Sequence, residues 1–373
     1  MIIKSLYLEN YRNYNCLNID FNKNLNIIIG DNAQGKTNIL ESIYTLAITK
    51  SYLGVKDKYL IKNGEAYFKI KADIESKFDN FNINFFVNND KKKICVNDYE
   101  INRYSDYISM LRVLIFSPEV VRIFKLNPSN RRKILNIEIS QLYKKYVSLL
   151  QNFNNILKQK NEYLKYIKLN NKHDDIYYSI IVDKFTNISV DVYNYRNNFI
   201  KYINNYIESI YEKITGYKGL FIKYISNIEF NDDLELMKKE LNDKIIKNFD
   251  RERKYGVSFF GPQRDDICFY LNDMDLSLYG SQGQYRAAIL SFKLAEIEVF
   301  KDVIKDSPIL LLDDIFSEFD INKRINLINY LKSDLQAIIT TTDLNLLDEG
   351  LIQNSKIFNI KHGELVNDGK EGI

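Results

Sequence analysis

The chain has 373 residues, 45% of them hydrophobic, so it can bury the cores of two domains or of one domain with a large insertion. Its 52 basic and 49 acidic residues leave a formal net charge of +3, so a basic surface would have to be local. Three scattered cysteines and two histidines argue against a disulfide framework, a zinc site and histidine-based catalysis. Residues 2–8 alternate apolar and polar, unlike a signal peptide, and no apolar run reaches the roughly 20 residues of a membrane span. We therefore expect a cytoplasmic protein.

Alternating or continuous apolar residues predict strands in the first third of the chain, at residues 2–8, 15–21, 25–29, 68–74, 81–87, 92–96 and 111–116. A helical pattern at residues 37–48 follows the third of these strands. After the last strand, Ser117 can cap another helix, with Pro118 at its first position. The first third is therefore predicted to be mainly β-structure around one early helix.

A phosphate-binding motif joins the third strand to that helix. The fit to G-x-x-x-x-G-K-[ST] consists of Gly30, Asp31, Asn32, Ala33, Gln34, Gly35, Lys36 and Thr37. Glycines let backbone N–H groups approach a phosphate chain, and the helix N-terminus adds partial positive charge. In this motif Lys36 reaches the β- and γ-phosphates and Thr37 places its hydroxyl on Mg²⁺. The alternative is a chance match in a turn, against which the flanking strand and helix argue.

A long helical segment follows. Residues 130–215 contain neither proline nor glycine, and their apolar residues recur in alternating steps of four and three. The polar stretch 168–175 interrupts this pattern once. We predict two helices of about 35 residues each in an antiparallel hairpin, an arm of roughly 50 Å at about 1.5 Å per residue. Two core helices of a compact all-α domain are the alternative.

An α/β pattern returns after residue 219. Strands are predicted at residues 220–225, 258–260, 267–271, 310–312 and 337–340, helices at 232–248, 282–300 and 325–331, and a final hairpin from 356–360 and 364–366. The apolar run 309–312 ends in Asp313 and Asp314. A carboxylate at such a strand end can coordinate a metal, and a second one beside the γ-phosphate can orient or activate water. Two acids that begin a surface loop are the alternative.

Further segments combine with these motifs. Residues 281–284 (SQGQ) resemble the signature motif of ABC-type ATPases, and residues 317–320 (SEFD) resemble their D-loop. Residues 10–14 (NYRNY), 116–119 (FSPE) and 261–266 (GPQRDD) complete a set whose order and spacing resemble the RecF family over the full length. Two positions depart from the family pattern, since Gln263 stands where histidine is common and Phe319 where leucine is usual.

The resemblance implies an α/β fold in which an ABC/SMC-type P-loop ATPase head, a mixed sheet with helices, carries an inserted antiparallel helical arm lobe. Residues 1–128 would form the N-terminal part of the head with the P-loop. Residues 129–255 would form the arm and second lobe, and residues 256–373 the C-terminal part of the head with the signature motif and Walker B. The resemblance also implies an ATP-dependent homodimer. Each P-loop would then face Ser281, Gln282 and Gly283 of the other subunit.

The resemblance further implies ATP and Mg²⁺ as cofactors and DNA, at gaps or single-/double-strand junctions, as a partner. With mediators of the RecR and RecO type, such a protein supports recombinase loading, replication-fork recovery and SOS induction in the cytoplasm, in association with the nucleoid. Arg12 carries over as a nucleotide contact and Asp313 as the Mg²⁺ carboxylate beside Thr37. Lys36 and Asp314 carry over as catalytic residues. Because Asp314 is one methylene shorter than the usual glutamate, we expect weak, DNA-stimulated ATP hydrolysis that acts as a switch and releases the dimer.

The candidate DNA contacts are basic runs, and a solvated charge run is the alternative for each. They comprise Lys91, Lys92 and Lys93, then Arg131, Arg132 and Lys133, and a further group of Arg251, Arg253 and Lys254. Three other functions are weighed against DNA repair. The arm and the Arg12 segment argue against a transporter ATPase, and the missing hinge domain argues against an SMC-like clamp. The lack of a further acid-rich domain argues against a nuclease.

Overall fold

The computed structural model describes residues 1–331, 335–347 and 349–371. The strands are β1 (Ile2–Tyr11), β2 (Tyr14–Asp20), β3 (Leu25–Ile29), β4 (Tyr67–Glu75), β5 (Asn80–Asn88), β6 (Lys92–Val96), β7 (Tyr99–Glu100), β8 (Val113–Phe116), β9 (Leu220–Ile225), β10 (Asp266–Leu271), β11 (Met274–Asp275), β12 (Ile309–Asp313), β13 (Ala337–Thr341), β14 (Ser355–Lys361) and β15 (Glu364–Glu371).

The helices are α1 (Lys36–Ile48), α2 (Tyr104–Tyr107), α3 (Pro118–Leu126), α4 (Pro128–Leu142), α5 (Lys144–Asn170), α6 (Asp175–Asn204), α7 (Ile207–Thr215), α8 (Leu234–Lys247), α9 (Phe249–Tyr255), α10 (Leu276–Tyr279), α11 (Gln282–Ile304), α12 (Ile321–Leu331) and α13 (Glu349–Gln353). Among the described residues, none of these helices has the length and apolar character needed to cross a membrane. The mixed α/β fold class expected from the sequence is confirmed.

Two large sheets form the head. One is antiparallel, with the order β2-β1-β4-β5-β6-β7. The other has the order β15-β14-β3-β13-β12-β8, and its strands from β14 to β8 run parallel. The inner strands of this sheet are almost wholly buried because parallel sheets are covered on both faces, which is why they are continuous apolar runs in the sequence. The carboxyl ends of β3 and β12 therefore meet at one edge, with β13 between them.

The helical hairpin is confirmed, but its predicted length is wrong. α5 has 27 residues and α6 has 30, which corresponds to about 40–45 Å at ~1.5 Å per residue. The apolar pattern runs on through Tyr143, where the backbone is extended and separates α4 from α5. α4 belongs to the base of the arm, because Gln141 accepts a hydrogen bond from Val113 N of β8 at 2.8 Å. Asp174 caps α6 by accepting from Tyr177 N at 3.0 Å.

Two local expectations have opposite outcomes. Ser117 caps α3 as predicted, with Pro118 at its first position and Val120 N donating to its hydroxyl at 3.2 Å. The strand predicted at residues 258–260 is wrong, because this segment is irregular. Ser258 N donates to the side chain of Asn161 at 2.7 Å, and this tie to α5 replaces a strand ladder.

Candidate functional site

The loop between β3 and α1 is packed closely by other parts of the chain. Gly35 has a φ of 116°, a conformation that favours glycine. A Cβ there would lie 2.6 Å from Asn13 Nδ2 and 2.7 Å from the Tyr14 hydroxyl. A Cβ on Gly30 would overlap the Ile360 carbonyl oxygen of β14. Both glycines of the motif are therefore required by the surrounding backbone and side chains.

Lys36 is held against its own loop. Its Nζ donates to the carbonyl oxygens of Gly30 at 2.5 Å and Asp31 at 2.8 Å. Burial lowers the pKa of the Lys36 ammonium, and the nearby carboxyls of Asp314 and Asp313 oppose that shift. The ammonium thus points into the loop, where the phosphates of a nucleotide would be bound.

Asp313 accepts hydrogen bonds from three directions. Thr37 Oγ1 and Thr340 Oγ1 donate to its Oδ1 at 3.0 and 2.6 Å, and the Tyr52 hydroxyl donates to its Oδ2 at 3.2 Å. The Asp313 side chain is buried, and burial raises its pKa although all three donors oppose the rise. The strand order β3-β13-β12 explains why these side chains meet. Thr37 follows β3 and Asp313 ends β12, and β13, which carries Thr340, lies between these two strands.

Asp314 begins the turn after β12. Its backbone is left-handed, with φ 46°, and its N–H donates to Thr340 Oγ1 at 3.0 Å. A pocket of about 150 Å³ lies here, lined by Asn32, Ala33, Gly35, Lys36, Thr37, Asn38, Asp313 and Asp314. The P-loop and the two acids, far apart in the sequence, therefore share one cavity.

The oxygens of Thr37 and Asp313 are of the type that Mg²⁺ prefers. Within the described ranges, no group of three or more His, Cys, Asp or Glu side chains could hold a metal ion by itself. Mg²⁺ commonly binds through one or two protein oxygens together with substrate phosphates. The donor set therefore fits an ion that arrives with a nucleotide.

Arg12 pairs with the P-loop helix instead of lining this pocket. Its Nε and Nη2 donate to the two Glu41 carboxylate oxygens at 2.8 and 2.7 Å, and its Nη1 donates to the Tyr59 carbonyl at 3.1 Å. The Glu41 bond raises the Arg12 pKa. The residues after it contact the loop directly, as Asn13 Nδ2 donates to the Gln34 carbonyl and the Tyr14 hydroxyl to that of Gly35, both at 3.0 Å.

The signature-like segment lies on the surface, outside the pocket lining. Ser281 caps α11 in a capping box, in which Gln284 N donates to the serine hydroxyl at 3.2 Å and Ser281 N to the Gln284 side chain at 2.9 Å. A Cβ on Gly283 would meet no atom within 4 Å. The N-terminus of α11 thus offers exposed donors to a group from outside the chain.

Most residues of the predicted DNA contacts are already engaged. Arg131 donates to both carboxylate oxygens of Asp266 at 2.7 and 2.6 Å, and Arg132 donates to the Asp265 carbonyl. Lys92 pairs with Asp57 at 2.8 Å and also donates to the Thr49 carbonyl, while Lys93 pairs with Glu100 at 2.7 Å. Arg131, Arg132 and Lys92 therefore bind within the chain, in contrast to the open basic runs expected from the sequence. Lys91 and Lys133 are exposed.

Sequence reasoning missed Tyr52, Thr340 and Glu41 as part of this site. Thr340 is the penultimate residue of β13, a buried strand next to the strand of Asp313, and a polar residue at that place is a usable signal. Glu41 is fully buried on α1, but a single acid in an apolar helical pattern does not indicate its partner. No local pattern marks Tyr52.

The comparisons with known proteins agree on one family. The family model described as RecF/RecN/SMC N terminal domain matches residues 2–365. A protein of Staphylococcus haemolyticus (strain JCSC1435), DNA replication and repair protein RecF, is 38% identical over 371 residues, 98% of this chain and 100% of the relative. Its Staphylococcus aureus (strain JH9) counterpart is 37% identical with the same coverage. The chain belongs to the RecF family.

Solved structures match over the same length. One described as the recombination mediator protein RecF-ATPrS in the RecFOR pathway has a TM-score of 0.89 at 31% identity, covering 99% of this chain and 98% of that chain. The RecF-ATP structure has the same TM-score and identity, with 97% of that chain covered. An SmcHead structure bound to the C-winged helix domain of ScpA has a TM-score of 0.56 at 14% identity, covering 98% and 96%. At that identity the likeness shows the fold of an ABC/SMC-type head alone.

Proposed function

We propose that this RecF-family chain is an ATP-dependent, DNA-binding protein of recombinational repair that dimerises on ATP and hydrolyses it slowly. One observation carries the proposal: Thr37 and Asp313 lie 3.0 Å apart in one pocket, whereas the exposed Ser281 segment is outside its lining. One copy of the chain thus offers a P-loop half and a signature half that do not meet. A second copy in a head-to-head arrangement would complete the site.

The residues of the pocket have distinct proposed roles. The backbone N–H groups of residues 30–37 would bind the phosphates, and Lys36 would move its ammonium from the loop carbonyls to the β- and γ-phosphates. Thr37 and Asp313 would hold Mg²⁺, which when bound neutralises charge on the phosphates. Asp314 would orient the attacking water, and its short side chain supports weak hydrolysis. Arg12 would act on the nucleotide only after loosening its pair with Glu41.

Ser281, Gln282 and Gly283 would bind the γ-phosphate of the ATP held by the partner subunit. The helix N-terminus supplies backbone N–H groups and partial positive charge, and the serine supplies a hydroxyl. ATP would then act as a ligand that favours the dimer, because it contacts both subunits only in that state. Hydrolysis would remove the contact and release the dimer.

The head would comprise residues 1–128 and 256–373, since β3 and β8 share a sheet with β12 to β15. Residues 129–255 would be the arm and second lobe. We propose gapped or junction DNA as the partner, with RecR- and RecO-type mediators, in recombinase loading, fork recovery and SOS induction, in the cytoplasm at the nucleoid. The RecF names of the relatives support this role. Within the basic runs 91–93 and 131–133, we propose Lys91, Lys93 and Lys133 as the DNA contacts.

A transporter subunit and an SMC-like clamp are the alternatives. The clamp would need a hinge domain between the arm helices. α5 ends at Asn170 and α6 begins at Asp175, so the connection is only a short turn. The full-length RecF relatives also favour repair over transport.

Analytical ultracentrifugation with and without ATP, and with and without gapped DNA, tests the proposal. The unaltered chain should dimerise with ATP and bind the gapped substrate. Lys36→Ala should lose nucleotide binding and the ATP-linked dimer, whereas Ser281→Ala should bind ATP but dimerise poorly. Ser209→Ala removes an exposed hydroxyl on α7 and is the control. A chain that stays monomeric with ATP and ignores DNA would refute the proposal.

Steady-state ATP turnover on gapped DNA tests the switch. Slow hydrolysis is expected, because the Asp314 side chain is one methylene shorter than glutamate. We also expect DNA to increase the rate. Turnover at the rate of a translocating motor would contradict this part of the proposal while leaving ATP-linked dimerisation intact.

A further inference from the structure

A cluster of cations and aromatic rings lies on α9 and its surroundings. We define the α9 surface by Lys165 and Lys168 of α5, by Arg251, Lys254 and Tyr255 of α9, and by Phe259 in the segment that follows. The four cations are exposed, the Tyr255 side chain is 56% exposed, and Phe259 is half-buried. None of these residues lines the P-loop pocket.

The rings of this surface are in contact with cations. The Arg251 guanidinium lies 4.6 Å from the centroid of the Phe259 ring, and that of Arg264 lies 5.5 Å from it. Tyr255 packs edge-on against Phe259 at 5.6 Å, and Lys254 Nζ lies 6.0 Å from the Tyr255 ring. Charge and π-surface therefore alternate over a short distance.

A buried ion pair holds the surface in place. Lys160 Nζ donates to Glu252 Oε2 at 2.6 Å and to Ser258 Oγ at 2.7 Å, with both charged side chains fully buried. Phe259 N donates to Glu252 Oε1 at 2.7 Å, and Arg264 Nη2 donates to the Ser258 carbonyl at 2.7 Å. Burial lowers the Lys160 pKa, while Glu252 opposes that shift. Such a pair gives little net stability, but it fixes the backbone that presents Phe259.

Two acids close to these cations in the sequence pair with cations outside the defined surface. Asp250 lies 3.6 Å from Arg253, and Glu162 lies 3.8 Å from Lys158. Lys165 and Lys168 pass beside Gly256, where a Cβ would lie 3.1 Å from Lys165 Cγ. This close packing brings the two α5 lysines to the same side as α9. The surface is therefore locally basic on a chain whose overall charge is nearly balanced.

We propose that the α9 surface binds single-stranded nucleic acid, with its cations on the phosphates and with Tyr255 and the Arg251–Phe259 stack against the bases. This inference rests on the DNA binding proposed above and assigns the binding of the single strand to the α9 surface. Base faces are covered inside a duplex but free in a single strand, where aromatic rings and guanidinium planes can stack on them. An acidic protein would pair with the lysines, but its carboxylates would not stack on the exposed Tyr255 ring.

The inference is tested by fluorescence anisotropy with a labelled thymidine oligonucleotide of about 20 nucleotides. This length exceeds the ~4–16 nucleotides that one OB-fold site for single strands covers. The test variant is Lys254→Ala/Tyr255→Ala. The matched control is Tyr217→Ala/Lys218→Ala, an adjacent tyrosine and lysine outside the α9 surface that are about 70% exposed. The test variant should bind the oligonucleotide about tenfold more weakly and with a smaller salt slope, and the control should bind like the unaltered chain. Tyr255→Phe should retain the affinity, because it keeps the ring.

The outcomes separate the inference from the function on which it rests. Equal affinity of the test variant and the unaltered chain would overturn the α9 assignment while leaving DNA binding intact. No binding of any DNA by the unaltered chain would overturn both. Competition by poly-glutamate as effective as that by the unlabelled oligonucleotide would also overturn the assignment, because it would identify a general site for acidic polymers. Nucleotide binding and the circular dichroism spectrum should be unchanged in every variant.

Discussion

Replacing Lys293 with methionine removes an ammonium that binds two buried carboxyls where the base of the arm meets α11. Lys293 Nζ lies 2.7 Å from Glu138 Oε1 on α4 and 3.0 Å from Glu296 Oε2 on α11. The three side chains are at most 3% exposed. Methionine has a similar length and an apolar end, so the change removes the charge with little change in packing volume.

The expected loss follows from the buried contacts that the ammonium makes. Burial, together with the nearby Glu138 carboxyl, raises the pKa of Glu296 well above its usual value, and the Lys293 ammonium opposes that rise. Glu138 would lose its counter-ion and keep only the Gln141 Nε2 bond at 3.1 Å. Breaking a buried pair from one side costs about 3–5 kcal/mol, and we expect a loss in that range for Lys293→Met.

Urea unfolding followed by circular dichroism measures this loss. Lys301→Met on the same helix is the matched control, because its pair with Glu298 is partly exposed at 3.1 Å. Such a pair contributes about 0–1 kcal/mol. The double variant Lys293→Met/Glu138→Met should recover much of the loss, since both charges are then absent. A Lys293→Met variant no less stable than Lys301→Met would refute the reasoning, as would a double variant less stable than the single one.

Three further predictions concern the head and the base of the arm. Gly35→Ala should abolish binding of a fluorescent ATP analogue through steric overlap, whereas Gly216→Ala, equally left-handed but with no atom within 4 Å, should bind normally. Thr340→Val should reduce Mg²⁺-dependent ATP turnover by about 10–100-fold, since Asp313, the proposed Mg²⁺ carboxylate, loses a hydrogen-bond donor. Thr341→Val, whose hydroxyl bonds to Asp343 instead, should not reduce turnover. Lys133→Ala should lower the salt slope of DNA binding by about one without changing stability, whereas Arg131→Ala should lower stability by roughly 1–3 kcal/mol in urea unfolding. Unchanged turnover in Thr340→Val, or an unchanged salt slope in Lys133→Ala, would contradict these assignments.

The P-loop and the two acids at the end of β12 were predictable, because each motif is local and its strand is a continuous apolar run. The contacts that join them were not. Thr340 reaches Asp313 because β13 pairs with β12, and Tyr52 reaches it from the loop after α1. Both contacts depend on the strand order, or on the path of a loop, and these are long-range properties of the chain.

The basic runs show the same limit. Arg131 and Lys133 are equivalent in a sequence pattern, but Asp266, which lies 135 positions from Arg131, engages only the first of them. The arm was predictable from its repeat, although the break at Tyr143 was not. The apolar spacing continues across that residue, and it is the attachment of α4 to β8 and α11 that sets α4 apart from the hairpin.

The position of β3 between β13 and β14 has a consequence for synthesis of the chain on the ribosome. Both neighbours of β3 emerge about 300 residues after it, which takes roughly 15–60 s at ~5–20 residues per second. During that time an apolar strand lacks both hydrogen-bonding partners, while the arm helices, built from local contacts, can already form. The pocket that contains Thr37, Asp313 and Asp314 can therefore form only near the end of translation. Chains that terminate early would carry an intact P-loop sequence with no sheet to support it, and their unpaired strand edges would be targets for chaperones.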